Sequence, residues 1–407
     1  MNYKIVIIDT CFNWPPKGGS WVDLYETATE LVSLGHEVTF VMPEYKRRGL
    51  TAFVHVPSFR IEKIPFTSIS FFPKNICKLI LEKVETIHPD IVMFGDGYFL
   101  KSPLLNILSN YKTVLRFFAY ELLCITGARM RNDMNCEYDF LNNPDVCYDC
   151  WLNHYGKDYD RREFSNYDVE FTRAFGFLPN YHSRLINNLK ECNATICYNE
   201  PISKIIKSIN PNCFVMPGGV NADLFKYKER IPVLNRKKRI FMPGNTHSLR
   251  KGYSVFIKAI ELLNSKRGDF EVYVNNLQKG KAGNIISLGL FPYHSMYKLY
   301  QQMDICVVPS IWDEPFGMVS LEAMATGIPA IVSDVGGLKT TVRDGYNGFI
   351  FENGDARQLS QKIEYLLDNE DERILMGKNG REWVEQKFSW KKIVPKNYKK
   401  VFDSLGV

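Results

Sequence analysis

Two glutamates, Glu314 and Glu322, stand eight residues apart on either side of Phe316-Gly317-Met318-Val319. The first amides of a helix have no partner within it, and the helix dipole favours negative charge there. A helix opening at Phe316 or Gly317 would aim the N–H groups of Gly317, Met318 and Val319 outward as a phosphate site. Gly317, lacking a Cβ, would let that phosphate approach the backbone. Glu322 would lie about 1.4 turns into the helix. A carboxylate beside Leu321 and Met324 is costly to bury without a partner. A sugar diol, donating two O–H bonds, is a good one. Glu314, on the preceding loop, could hold a second sugar. The competing reading makes Glu322 a solvated helix residue and Glu314 an ordinary loop charge.

Positioning these side chains requires a strand, a loop, a helix and a second strand. Asp304–Val308 is a short apolar run suited to a buried parallel strand. The helix runs to about Thr326, where Gly327 fits a left-handed cap. Pro329–Ser333 is the next strand, and Asp334-Val335-Gly336-Gly337 the next loop. Ligands of open α/β sheets bind at this carboxyl edge.

The same pattern opens the chain. Lys4–Ile8 reads as a strand, Asp9–Trp21 as a loop containing Gly18-Gly19, Val22–Ser33 as a helix and Val38–Met42 as a strand: a βαβ unit. Further strands are predicted at Asp90–Phe94, Val114–Phe118, Ala194–Cys197, Cys213–Met216, Arg239–Met242, Phe270–Val274 and Ile285–Leu288. Tyr297–Met303, Ala356–Leu367 and Asp371–Phe388 read as helices. At 407 residues the chain has room for two domains of roughly 200 residues each. The expected division is 1–208, with a cysteine-containing insertion at about 124–154, then 209–388, then a C-terminal helix at 389–407.

Composition excludes several classes. The net charge of +6 comes from scattered lysines and arginines, so a nucleic-acid surface is not expected. Lys46-Arg47-Arg48 and Arg236–Arg239 are small basic clusters, suited to an anionic membrane surface or acceptor, or simply to solubility. No apolar stretch approaches the ~20 residues of a membrane helix. Met1–Asp9 reads as a strand rather than a secretory leader, which points to the cytoplasm, with or without membrane association on its inner face. No Gly-x-Gly-x-x-Gly follows Lys4–Ile8 or Arg239–Met242, which weighs against an oxidoreductase. Among ten cysteines, Cys124, Cys136, Cys147 and Cys150 could hold a structural zinc, with His154 in reserve. Free thiols or a disulfide are the alternatives.

The string Pro309–Gly337, with Glu314-Pro-Phe-Gly, Glu322, Ala-Thr-Gly-Ile-Pro-Ala-Ile and Val-Gly-Gly, resembles the donor-site signature of the family-4 retaining glycosyltransferases. The resemblance implies a GT-B fold: two facing Rossmann-like domains with parallel sheets, and a last helix returning to the first. It implies that Glu322 holds the nucleotide ribose and Glu314 faces the transferred sugar. Phe316, Gly317, Met318 and Val319 would line the donor diphosphate and sugar. Gly18 and Gly19 would lie over the phosphates from the opposite domain. Pro217–Phe225 would form the hinge, and backbone around Leu290 would read the base. Lys251 matches the family's lysine-glycine pair with Gly252. Its arginine is absent, Asn245 or Thr246 standing there, and Arg250 is the candidate substitute. A histidine expected near the end of the fourth strand is replaced by Phe118, with Tyr120 or Glu121 as substitutes.

The implied reaction is transfer of a sugar, with retention, from a UDP- or GDP-linked donor to a glycan, lipid-linked or small-molecule acceptor. It resembles polysaccharide biosynthesis. Lys251, Glu314 and Glu322 would be the catalytic residues. No paired-aspartate motif calls for a catalytic metal, so no cofactor is expected for the chemistry. A non-catalytic nucleotide-sugar-binding partner subunit, a phosphorylase and a sugar-nucleotide epimerase are the alternatives.

Overall fold

The structure, a computed structural model, describes residues 2–16, 18–45, 57–67, 70–127, 129–131, 134–155, 171–172, 174–232, 236–244, 248–275, 279–289 and 291–406. By packing, the chain divides into two compact units. The first comprises Met1–Pro217 with Val394–Val407, and the second comprises Gly218–Ile393.

In the first unit short apolar runs form a parallel sheet from β1 (Lys4–Ile8), β2 (Glu37–Glu44), β3 (Arg60–Pro65), β4 (Ile91–Phe94) and β5 (Lys112–Arg116). β6 (Met130–Arg131) and β7 (Met134–Asn135) make a separate small hairpin. β8 (Ala194–Cys197) and β9 (Cys213–Val215) complete the large sheet, whose order is β3-β2-β1-β4-β5-β8-β9. Ile5–Ile8 and Ile91–Phe94 are buried throughout, as expected of parallel strands covered on both faces. Between β1 and β2 the helix starts at Gly19, three residues earlier than its apolar periodicity indicated, because Gly18 adopts extended backbone as its cap.

β9 corrects the expected division. Its residues pair in parallel with β8, Thr195 with Cys213 and Cys197 with Val215. The strand therefore belongs to the first unit, and the boundary falls at Pro217 rather than 208. The boundary at the other end lies inside the last helix, Trp390–Leu405. Its later part packs in the first unit, where Phe402 meets the rings of Tyr3 and His36 at 5.5 and 5.6 Å. A buried ion pair ties the first unit's core: Arg116 donates to Asp23 at 2.8 Å, and Tyr198 donates to the same oxygen at 2.9 Å.

The second unit repeats the plan with β10 (Lys238–Met242), β11 (Phe270–Val274), β12 (Lys279–Ala282), β13 (Ile285–Leu288), β14 (Ile305–Val308), β15 (Ala330–Ser333) and β16 (Gly348–Phe351). Their order is β12-β13-β11-β10-β14-β15-β16. All pairings are parallel except β12 on β13. The exposed polar run of β12 gave no apolar signal, so this antiparallel edge was not foreseen. Asn347–Ile350 reads in sequence as a hairpin-like turn and strand; the strand is present as β16, and it joins β15 in parallel. In the order, β10 and β14 are neighbours. Loops leaving their carboxyl ends must therefore lie side by side.

Among the described residues, no helix is long and apolar enough to cross a membrane. The basic cluster at Arg236–Arg239 is largely consumed internally. Arg236 forks onto Asp304 through two bonds of 2.6 Å, Lys238 pairs with Glu370, and Arg239 lies 3.8 Å from Glu271. Lys46–Arg48 lie outside the described residues.

Candidate active site at the carboxyl edge of the second sheet

Two loops from neighbouring strands build the site. After β10 the chain makes a single turn, Leu249–Lys251, capped by Gly252 in the left-handed region at φ +71°. After β14 it runs through Pro309–Gly317. The loops are stitched together by the amide of Ile311 donating to the carbonyl of Arg250 at 2.9 Å. A Cβ on Gly252 would stand 1.7 Å from the carbonyl oxygen of Pro309, so the turn that presents Lys251 needs glycine next to it. Gly252→Ala is expected to cost about 3 kcal/mol of stability, read as a lower urea midpoint at unchanged slope. An unshifted midpoint would show that the two loops separate freely.

The stitched loops bring Lys251 onto Glu314. The Lys251 ammonium contacts both carboxylate oxygens, at 3.0 and 2.8 Å. The second oxygen also accepts from the Ser310 hydroxyl and the Trp312 indole N–H, each at 2.9 Å. Burial would raise the Glu314 pKa. The Lys251 charge and the bonds from Lys251, Trp312 and Ser310 overcome that and hold it below the usual carboxylate range. Arg250 lies 5.0 Å and Lys251 5.7 Å from the centre of the Trp312 ring, both within cation–π range. The sequence-based reading put Lys251 on a diphosphate and Glu314 on a sugar. In the structure each is the other's partner, and Trp312 and Ser310 join them. Trp312 and Ser310 lie within the motif, but spacing alone gives no direction for an indole.

The helix is Met318–Ala325, beginning just after the anticipated Phe316 or Gly317, because Gly317 at φ +109° is its cap rather than its first residue. A Cβ there would lie 2.4 Å from Leu338 Cδ1. Gly317 is thus required by its backbone angle and by Leu338, besides any need to admit a phosphate. The amide of Gly337 donates to the Glu314 carbonyl at 2.7 Å, joining the Val-Gly-Gly loop to the Glu314 loop. Met318 and Val319 occupy the helix's first turn, and Phe316 is buried against Phe388, with ring centroids 5.8 Å apart.

Glu322 is buried, not solvated. The Tyr300 hydroxyl donates to it at 3.0 Å. Burial raises its pKa to about 7, and the Tyr300 bond only partly counters this. Tyr300, fully buried on the helix Met296–Tyr300, is a partner that sequence spacing could not reveal.

Gly18 and Gly19 stand at the start of the helix Gly19–Ser33 in the first unit. Leu290 and the Asn245–Thr246 segment lie outside the described residues. Glu121, a candidate for the missing histidine's work, is fully buried and turned inward. It accepts from the amides of Phe118 and Ala119 at 2.6 and 2.7 Å and from Lys101 at 3.0 Å. It holds the loop after β5 and has no free edge for a sugar. Sequence reasoning also missed Asp9 and Asp96, which meet at the carboxyl ends of β1 and β4. Burial and the Asp96 charge push Asp9 up to about 8, while the Asp96 amide donates to it at 2.7 Å.

Cys124, Cys136, Cys147 and Cys150 border one cavity in the first unit, and none of the four is in a disulfide. Among the described residues no three ligating side chains stand close enough together, as placed, to hold a metal ion. The His154 side chain is outside the described set.

The family model described as glycosyl transferases group 1 matches residues 226–383. An uncharacterized glycosyltransferase, MJ1178 of Methanocaldococcus jannaschii, is 33% identical over 216 residues, half of this chain and 59% of that protein. The chain thus spans under two thirds of that relative. Sucrose-phosphate synthase from Thermosynechococcus elongatus has the same fold, with TM-score 0.66 and 17% identity over 98% of this chain and 99% of that one. Alr3699/HepE of Anabaena, solved in complex with UDP-glucose, superposes with TM-score 0.65 and 15% identity over 99% of this chain and all of that one. With two parallel-sheet units, a last helix that ends in the first unit, and these structural neighbours, the chain has a GT-B-type fold, and its residues 226–383 match the glycosyl transferases group 1 model.

Proposed function

We propose that the protein is a retaining glycosyltransferase that moves a sugar from a UDP- or GDP-linked donor to a glycan, lipid-linked or small-molecule acceptor. The observation that carries this reading is the Lys251–Glu314 pair, 2.8 Å apart, on the loop beside the Gly317 helix start and the buried Glu322. A cation, helix-start amides and a buried carboxylate at one sheet edge suit the charges and hydroxyls of a nucleoside-diphosphate sugar. The UDP-glucose complex named for Alr3699/HepE supports the same donor class.

In the proposed reaction the bond between the anomeric carbon and the diphosphate oxygen breaks. The acceptor hydroxyl oxygen bonds to that carbon from the same face, and its proton passes to the departing diphosphate. Charge grows on the diphosphate as it leaves. Lys251, with Arg250 and the amides of Gly317 and Met318, stabilises that charge. Glu322 accepts from the ribose hydroxyls, and Glu314 faces the sugar once Lys251 turns to the phosphate. Lys251 and Arg250 can supply the needed positive charge, so no metal is assigned to the chemistry.

A thermal-shift screen of nucleotide sugars tests this. The true donor at about 100 times its Kd adds about 2.7 kcal/mol, a rise of roughly 5–10 °C for a unit of this size. No shift with any uridine or guanosine diphosphate sugar would overturn the donor assignment. Donor binding without sugar loss over hours would identify a non-catalytic binder instead. Sugar release that depends on inorganic phosphate would indicate a phosphorylase, and an altered free sugar nucleotide an epimerase.

A further inference from the structure

We propose that Cys124, Cys136, Cys147 and Cys150 form a closed four-thiolate site for one zinc-class dication, which staples the segment between β5 and the helix Pro144–Tyr155. The four sulfurs come from three separate stretches of chain and border a single cavity walled by apolar groups such as Ile125 and Val146. Cys124 follows the turn after β5, its amide donating to the Tyr120 carbonyl at 2.9 Å. Cys136 stands directly after the β6–β7 hairpin, its amide donating to the Arg129 carbonyl at 2.9 Å. Cys147 and Cys150 are three apart on one helix, hence on one face.

Nothing in the packing requires four cysteines here. A purely apolar pocket would be served by alanine or valine, and none of the four thiols is in a disulfide. No lysine or arginine lines the cavity among the described residues, so an anion finds no counter-charge and four thiolates would repel one another. A borderline-soft dication offsets that repulsion and prefers sulfur donors. The thiols stand too far apart to ligate as placed. A cation would draw them to about 2.3 Å from itself, and the displaced thiol protons would pass to solvent. Four protein ligands leave no open position, so the role is structural and independent of sugar transfer.

The test is metal analysis of the full chain purified without chelator. One zinc per chain is expected, released into a chromophoric chelator as a mercurial titrates four thiols. Cys147→Ser and Cys150→Ser should each lower the content at least about tenfold. Where these variants fail to fold, cobalt(II) exchanged into the parent protein reports instead, through the thiolate-to-cobalt absorption of a tetrahedral four-sulfur site. Metal-free folded protein whose four thiols alkylate readily would overturn the proposal. So would a disulfide among them found by mass spectrometry, iron in place of zinc, or metal content unchanged in both serine variants.

Discussion

Replacing Lys251 by alanine is expected to lower turnover of the donor by about 10²–10³-fold, the usual cost of removing one preorganised group that stabilises developing charge. Two effects act in the same direction. The leaving diphosphate loses its nearest cation, and Glu314 loses the charge that holds its pKa below the usual range. A carboxylate whose folded pKa is depressed contributes stability above its unfolded pKa and loses it as pH falls through the folded value. Lys251→Ala should therefore also remove part of the second unit's stability at neutral pH. The double variant Lys251→Ala with Glu314→Gln separates the effects. It should recover the melting temperature, because no buried charge is left unpaired, while turnover stays low. Turnover equal to the parent in Lys251→Ala would remove that residue from the site.

Glu322→Gln is expected to make the protein more stable and a poorer enzyme. In the folded chain Glu322 titrates near 7, against an ordinary value of 4.5. Its folded pKa is raised, so the folded state holds the proton more tightly. Between pH 4.5 and about 7 the parent's stability falls as pH rises. The gap of 7 − 4.5 = 2.5 pH units is worth about 3 kcal/mol at ~1.36 kcal/mol per unit. Glutamine cannot ionise, so this penalty should vanish at pH 8 and make no difference at pH 4. Melting temperatures at the two pH values measure it; equal effects at both would refute the buried-charge account. Donor affinity should show the opposite trend. The ionised carboxylate accepts both ribose hydroxyls, so parent affinity should rise through pH 7. The glutamine variant should bind roughly tenfold or more weakly, without that pH dependence. Stability is given up here to keep a carboxylate ready for a diol.

The strand-loop-helix-strand unit around Glu314 and Glu322 was legible because its signals are local: apolar runs, Gly317 before a helix and Gly327 after it. Short apolar runs also marked the central members of both sheets. What was not legible depends on tertiary placement. β12 is polar and exposed, so no periodicity marks it, and only pairing with β13 makes it a strand. β9 lies next to a plausible linker, and pairing with β8 decides which unit owns it. The partners of the two glutamates were hidden for the same reason. Tyr300 is 22 residues from Glu322 and Lys251 is 63 from Glu314. The strand order brings β10 beside β14, and spacing along the chain does not carry that information. Glu121 is, with Tyr120, one of two candidates by position for the absent histidine's contact, whereas Lys101, 20 residues earlier, claims it for the core.

The second unit is one contiguous piece, but the first is made of two pieces separated by it. On the ribosome, residues 218–393 emerge before 394–406, so the later half can finish folding while the earlier half still waits. Until Tyr398 and Phe402 arrive, Tyr3 and His36 lack the aromatic cover they have in the finished chain. The nascent polypeptide thus carries a greasy, uncovered patch on its oldest segment throughout most of translation, a natural foothold for chaperones and a point of vulnerability to aggregation.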